Sequence, residues 1–250
     1  ANRLFPMAPV YDHEQWPAWL HLALFCLSVS LLVLLVLRPQ QKTLTWLLFF
    51  SEITACLADQ NRWQPWQYQY LFILVIYLIN FSRPQMVKTC IAFLLAGSFF
   101  YSGLGKFSEA YLTMVWDPIF LRSSFGLGTK SQLLHQAGYI TALLEVFLAL
   151  GLFFRKTKKP SAIGLILMHV LILYAVGPLG MNYNHVVWPW NTAMIILLYV
   201  VFLQKQTRSF EWGCLKKELN WLVVVFFGLL PALNYAGLWD NFLSMRWYSG

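Results

Sequence analysis

The fourth long apolar run of this chain reads Val87-Lys-Thr-Cys-Ile-Ala-Phe-Leu-Leu-Ala-Gly-Ser-Phe-Phe-Tyr-Ser-Gly-Leu-Gly-Lys106. Its apolar residues are continuous and do not alternate with polar ones, which is the pattern of a membrane-spanning helix. Gly103 and Gly105 precede a lysine at the point where such a helix would leave the bilayer. Lys106 is therefore either an anchor among the lipid headgroups or a functional group.

The composition of the whole chain agrees with a membrane-spanning fold. Of its 250 residues, 59% are hydrophobic and only 11% are charged, whereas about 25% of a soluble domain is charged. A lipid bilayer admits only helices or closed barrels, because backbone polar groups must be satisfied within the protein. We therefore predict an all-α protein, a polytopic transmembrane helical bundle whose first partner is the lipid bilayer.

Eight apolar runs follow one another along the chain. They cover about residues 18–37, 44–58, 69–82, 87–106, 137–154, 161–179, 186–203 and 220–238. No internal repeat and no linker rich in serine or glycine separates them. The sequence thus predicts a single transmembrane helical domain over residues 1–250 with about eight spans.

The basic residues predict the orientation of these spans. If eight spans alternate, 12 of the 18 lysine and arginine residues fall on one side and the other six on the opposite side. The positive-inside rule then puts the richer side in the cytoplasm and both termini on the outer side. Much of the net charge of +8 is accounted for in this way, so we expect no nucleic-acid partner. We expect a multi-pass protein of a bacterial cytoplasmic (inner) membrane with its functional face outward.

The loops on the predicted outer side are dense in amides, aromatic rings and prolines, as in residues 59–70 and 177–191. Within the longest of them, residues 108–117 are expected to form an interfacial or re-entrant helix. Polar side chains at this depth need hydrogen-bond partners, whereas the tryptophans taken singly also fit an aromatic belt at the membrane interface. The predicted ligand-binding residues are Glu52, Asp59, Arg62, Trp66, Asn184, His185 and Asn191.

Ionisable residues also lie inside the apolar runs. Glu52, Glu145 and His169 are near the middle of their spans, where an unpaired charge costs about 3 kcal/mol or more. Together with Lys106 they are expected to meet inside the bundle, and Lys106, Glu145 and His169 are the candidate catalytic residues. The structural alternative is a protonated glutamate and a hydrogen-bonded core histidine.

Spacing offers one further expectation and excludes several kinds of site. Glu52 and Asp59 are seven residues apart, so they are predicted to share a helix face, as a proton path or as part of an internal salt bridge. The histidines form no HxxxH or HExxH pattern and the four cysteines have no CxxC spacing, so no metal site is predicted. Neither a phosphate-binding loop nor a Gly-x-Ser-x-Gly turn occurs.

Three of these segments resemble a known family, the HTTM superfamily, which includes the membrane domain of vitamin K-dependent gamma-glutamyl carboxylases. Phe100-Tyr-Ser-Gly-Leu-Gly-Lys-Phe107 is similar to its Tyr-Phe-x-Ala-Gly-x-x-Lys-Leu segment. Leu144-Glu-Val-Phe-Leu-Ala-Leu-Gly-Leu152 is similar to its Glu-containing helix. Met168-His169 and the later Trp188-Pro-Trp190 are similar to its His helix and Phe-Pro-Trp. The similarity spans most of the chain, without the soluble carboxylase domain.

The resemblance implies a helical membrane fold and offers Lys106 the role of a base toward a quinol. It also shows a departure. Where the carboxylases carry Asn-His-Ser-Tyr, this chain reads Pro65-Trp-Gln-Tyr68, with Trp66 at the place of the histidine. Carboxylation of glutamate is therefore not what the residues predict.

Two hypotheses follow for the function, and the sequence leaves open whether the chain is an enzyme. In the first, an outward-facing polar pocket within the membrane binds a quinone-like or other isoprenoid lipid, with Lys106 as base or anchor and Glu145 and His169 as proton carriers. In the second, the chain is a non-catalytic structural or accessory subunit of a larger membrane complex, and its buried charges are internal ion pairs.

Overall fold

The structure is a computed structural model that describes residues 17–127, 131–204 and 210–246. Within these ranges the chain is helical and contains no strand, which confirms the predicted all-α class. Four helices are long and apolar enough to cross a membrane: Trp19–Leu37, Pro84–Gly105, Gln132–Gly151 and Lys158–Val176. These spans identify a membrane protein. Both termini lie outside the described residues.

The chain divides into two compact units, Ala1–Val87 and Lys88–Gly250, and each is described by itself. The prediction of a single domain stays a prediction. Each of the eight predicted apolar runs falls on helical structure, although Pro65–Ile79, Val187–Leu203 and Trp221–Ala236 are shorter than a full span.

Unit 1 contains three helices, α1 (Ala18–Leu37), α2 (Lys42–Ala58) and α3 (Pro65–Ile79), with a 3₁₀ turn at Gln60–Arg62. α3 begins four residues earlier than predicted, because a proline suits the first position of a helix. The side chains of Ser28 and Ser51 meet at 3.0 Å and join α1 to α2 in the buried interior. Such hydroxyl contacts connect helices where hydrophobic contacts have no advantage over lipid.

Unit 2 begins within α4 (Pro84–Gly105), whose first turn belongs to unit 1. The helices that follow are α5 (Glu109–Tyr111), α6 (Gln132–Gln136), α7 (Gly138–Gly151), α8 (Lys158–Val176), α9 (Val187–Leu198), α10 (Trp212–Leu215), α11 (Trp221–Val224) and α12 (Leu230–Leu233). Three of them continue as wider, π-helical turns: α5 over Leu112–Ser124, α9 over Tyr199–Leu203 and α11 over Val225–Leu229. The segment expected to be interfacial or re-entrant is thus helical, and its orientation stays a prediction.

α4 contacts three other segments of unit 2. Tyr101 donates a hydrogen bond to the carbonyl oxygen of Gly228 at 2.5 Å, and the ring of Phe99 lies 5.3 Å from that of His169 on α8. On the α7 side, a Cβ placed on Gly103 would lie 2.8 Å from Val146 Cγ2 and 3.2 Å from the Ala142 carbonyl oxygen. The missing side chain of Gly103 is therefore what allows α4 and α7 to approach closely.

Gly103→Ala is expected to destabilise the protein by about 1–3 kcal/mol, because the added methyl group would collide with α7. The measurement is unfolding by sodium dodecyl sulfate titration in mixed micelles. Gly213→Ala on α10 is the control, since nothing lies within 4 Å of a Cβ placed there. Both changes give a helix the same gain in propensity, so equal stabilities of the two variants would contradict the proposed role of Gly103.

Candidate functional site

The first component of the candidate site is an ion pair between Lys106 and Glu145. Lys106 follows the last residue of α4, and its backbone N–H donates to the carbonyl of Gly103 at 3.1 Å. Its Nζ contacts Oε2 of Glu145 on α7. The Glu145 side chain is only 2% exposed and that of Lys106 is 12% exposed. A carboxylate this deeply buried requires such a partner.

The glycines before Lys106 explain why the two charges meet. Gly103 lets α4 approach α7 at Ala142 and Val146, which precede and follow Glu145 along that helix. The next glycine, Gly105, faces a different element, because a Cβ placed there would lie 3.1 Å from Cγ of Arg246. Both glycines therefore allow another element to approach closely.

The second component is a hydrogen-bonded pair formed by His169 and Asn191. His169 on α8 is 2% exposed and Asn191 on α9 is fully buried. Nδ1 of the histidine lies 2.6 Å from Oδ1 of the asparagine. The other ring nitrogen, Nε2, is buried and has no hydrogen-bond partner among the described residues. An orphaned polar atom of this kind is rare in a protein interior and calls for an explanation.

Both components lie in unit 2, and α4 takes part in each: Lys106 follows its last residue, and the ring of Phe99 lies 5.3 Å from that of His169. The charge of Lys106 acts electrostatically on the His169 ring, and Lys106 Nζ lies 5.9 Å from the centre of the Tyr111 ring. The hydroxyls of Tyr111 and Thr141 are 2.9 Å apart. Lys106, Glu145 and His169 thus lie in one unit, on or directly after α4, α7 and α8.

The predicted ligand-binding residues Glu52, Arg62 and Trp66 of unit 1 lie in different surroundings. Gln67 donates from Nε2 to the Glu52 carboxylate at 2.9 Å. Nε of Arg62 is buried and has no hydrogen-bond partner in the described part of the chain, and Trp66 lies in the first turn of α3. Their binding of a ligand, and the expected meeting of Glu52 with the other ionisable residues, stay predictions.

One expectation about unit 1 is wrong: Asp59 does not share a helix face with Glu52. α2 ends at Ala58, and Asp59 has an extended backbone with φ −155° and ψ 100°. Its carboxylate accepts hydrogen bonds from the backbone N–H of Asn61 at 3.3 Å and from Asn61 Nδ2 at 3.1 Å. Aspartate competes with the helix by bonding to the backbone two residues ahead, and it therefore stops α2.

Of the predicted ligand-binding residues that follow α8, Asn184 and His185 precede α9, whereas Asn191 lies within it. Asn184 is exposed with φ +53°, a left-handed conformation that asparagine tolerates in turns. His185 is exposed and its ring lies 4.6 Å from that of Trp188. Asn191 was predicted with them as the last residue of the loop 177–191, but it lies one turn inside α9 and is buried against His169.

Sequence reasoning missed a cluster of three ionisable residues. Nδ1 of His135 lies 2.7 Å from Asp117 Oδ2, and Nε2 of the same ring lies 3.0 Å from Glu109 Oε1. The cluster connects α6 to the helical turns that follow α5, and the indole N–H of Trp116 adds a hydrogen bond to the Leu134 carbonyl at 2.9 Å. The residues are 18 and 26 positions apart, so no spacing rule marks them.

Within the described residues, no group of three or more His, Cys, Asp and Glu side chains is arranged to hold a metal ion. The four cysteines are free thiols; Cys26 is exposed and the other three are buried. Cys214 lies outside the four long spans, where burial and then its contact with Glu211 at 3.6 Å raise the pKa of its thiol. A thiol kept protonated in this way is a poor nucleophile.

No protein-family model, curated protein or solved structure matches this chain.

Proposed function

We propose that this membrane protein binds a quinone-like or other isoprenoid lipid at the polar site formed by Lys106, Glu145 and His169. The observation that carries the proposal is the placement of a buried ion pair and an incompletely satisfied histidine among helices apolar enough to span a bilayer. Polar and ionisable groups inside a membrane are costly, and they mark ligand or proton pathways by default.

The ion pair suits proton transfer. A lysine acts as a base only after it has released its own proton, and the Glu145 carboxylate in contact with Nζ can receive that proton. The pair then becomes neutral, and the Lys106 amine can take a proton from a bound hydroxyl group. In this proposal Glu145 stores the proton and also orients the lysine.

A relationship to the HTTM superfamily is part of the proposal. It is supported by the fact that residues from its three quoted segments lie in one unit and interact: Lys106 with Glu145, and His169 with Trp190 at 6.1 Å between ring centres. The number of spans and their orientation are proposals too. We propose about eight spans in a bacterial cytoplasmic membrane, with both termini and the functional face outward, as the distribution of basic residues favours.

A second candidate function is that of a non-catalytic subunit in a larger membrane complex. The turn between α8 and α9 favours it, because the turn presents large exposed apolar side chains: Leu179 is 84% exposed, Tyr183 59% and Val186 58%. A group of apolar side chains at the end of two helices is typical of an interaction surface. In this case the ion pair would serve only to join α4 to α7.

Mass spectrometry of lipids and proteins that co-purify with the full chain separates the two functions. The first predicts an isoprenoid quinone or related lipid at about one per chain, which is lost in Lys106→Met while the protein stays folded. Lys156→Met, which removes an exposed lysine from the loop before α8, is the control and should retain the lipid. Stable partner proteins without such a lipid, unchanged in Lys106→Met, would contradict the first function and support the second.

A further inference from the structure

We infer that Nε2 of His169 accepts a hydrogen bond from a hydroxyl group of the ligand, so that the site selects a hydroxyl-bearing form over one that offers only carbonyl or ether oxygens. This inference rests on the proposed function and specifies the class of ligand. It depends on which ring nitrogen of His169 carries a proton, and the neighbours of the ring decide that question.

Asn191 fixes the proton on Nδ1. Its Nδ2 donates to the backbone carbonyl of Val187 at 2.8 Å. A carbonyl oxygen only accepts hydrogen bonds, so the nitrogen of the amide must face Val187 and the oxygen must face the ring. That oxygen lies 2.6 Å from Nδ1 of His169 and is also only an acceptor. Nδ1 therefore carries the hydrogen.

A second proton on the ring is unfavourable. It would place an N–H on Nε2, for which the described residues provide no acceptor. The side chain is buried and the positive charge of Lys106 acts on it, so an imidazolium would be an unpaired buried cation near a like charge. The ring is therefore neutral, and Nε2 presents a lone pair that is not used within the protein.

The surroundings of Nε2 suit a flat, mostly apolar ligand. Two aromatic rings lie beside His169, with ring centres at 5.3 Å for Phe99 and 6.1 Å for Trp190. Nε2 is buried, so a ligand reaches it only if a neighbouring side chain moves, and of these two rings Trp190 is half-buried whereas Phe99 is buried. A hydroxyl donates to the lone pair, whereas a carbonyl oxygen in the same place would set two lone pairs against each other.

Equilibrium binding to the full chain in lipid nanodiscs tests this selectivity. The probes are decylubiquinol under anaerobic reducing conditions, its dimethyl ether and decylubiquinone. These share one ring and one tail but differ in the hydroxyl donor. We expect the quinol to bind at least about tenfold more tightly than either of the others, which is the difference that one buried hydrogen bond produces.

Asn191 is proposed to hold the ring proton of His169 on Nδ1, and this role can be measured separately. Nuclear magnetic resonance of protein with ¹⁵N-labelled histidine should show a protonated Nδ1 and an unprotonated Nε2 on the His169 ring. Addition of the quinol should change the chemical shift of Nε2 alone. The signals of this ring are assigned by their loss in His169→Leu. Asn191→Leu should allow the proton onto either nitrogen and reduce the preference for the quinol to less than about threefold. Thr192→Val, a polar-to-apolar change of an exposed neighbour, should leave both measurements unchanged.

The outcomes are distinguishable. Binding of the quinone or the ether as tightly as the quinol would overturn the selectivity while leaving the proposed function intact. A protonated Nε2 in the ligand-free protein would overturn it even if Asn191→Leu did not fold. Binding of none of the three probes would overturn the selectivity and the proposed function together.

Discussion

Glu145→Leu is expected to destabilise the protein by about 3–5 kcal/mol, the typical cost of removing one partner from a buried ion pair. The change leaves the Lys106 ammonium without the carboxylate that it contacts at the α4–α7 crossing. Part of the loss is recovered if the lysine, which is 12% exposed, moves its charged group toward the interface. Unfolding by sodium dodecyl sulfate in mixed micelles measures the effect.

A double-mutant cycle separates the ion pair from the packing around it. Lys106→Met should also destabilise, and the variant that combines Lys106→Met with Glu145→Leu should be more stable than either single variant, because two apolar side chains of similar volume replace the pair. Lys156→Met, at an exposed site, should change the stability by less than about 0.5 kcal/mol. Additive losses in the double variant would show that the two residues act independently.

The fold class could be predicted from the sequence because the bilayer leaves few options for continuous apolar runs. The candidate site could be predicted in part: an ionisable residue within an apolar run attracts attention wherever its partner lies. The partners could not be predicted. Lys106 and Glu145 are 39 residues apart, and their meeting depends on the register at which α4 crosses α7 over Gly103.

Two errors of interpretation have local causes. Asp59 was assigned to α2 by counting residues, whereas its own side chain ends the helix by capping the next turn. Asn191 was predicted at the end of the loop 177–191, although the apolar run 186–203 also includes it; Pro189 fits within the first turn of α9, which begins at Val187. The asparagine then lies inside the helix and faces α8.

The His135 cluster could not be found by spacing, and its wide helical turns explain why. Residues Leu112–Ser124 have the π-helical repeat, so the spacing of three or four residues that marks one face of an α-helix does not apply there. Glu109 and Asp117 are eight residues apart, and both contact the imidazole of His135 on α6. Only the positions of α6 and this segment bring them together.

The contact between this segment and α6 is expected to weaken as the pH rises. Both ring nitrogens of His135 face carboxylate oxygens, at 2.7 and 3.0 Å, and a carboxylate can only accept, so both contacts need the doubly protonated ring. The stabilisation is therefore present at low pH and lost above the range near 6.5 in which histidine ordinarily titrates. Hydrogen exchange of the Trp116 indole, which bonds to Leu134, reports on the contact.

His135→Gln provides the comparison at each pH, because glutamine keeps polar contacts but cannot become charged. We expect the indole of the native chain to exchange up to about fivefold more slowly than that of the variant at pH about 6, and the two to converge at pH about 9, because Glu109 is 70% exposed and ion pairs near the surface contribute at most about 1 kcal/mol. His185→Gln, an exposed histidine on another turn, should behave like the native chain throughout. α5 leads into this segment, starts three residues after Lys106 and holds Tyr111 beside the lysine, so loosening should also weaken lipid retention at high pH. A difference between native and variant that does not change with pH would mean that the ring acts by packing and not by its charge.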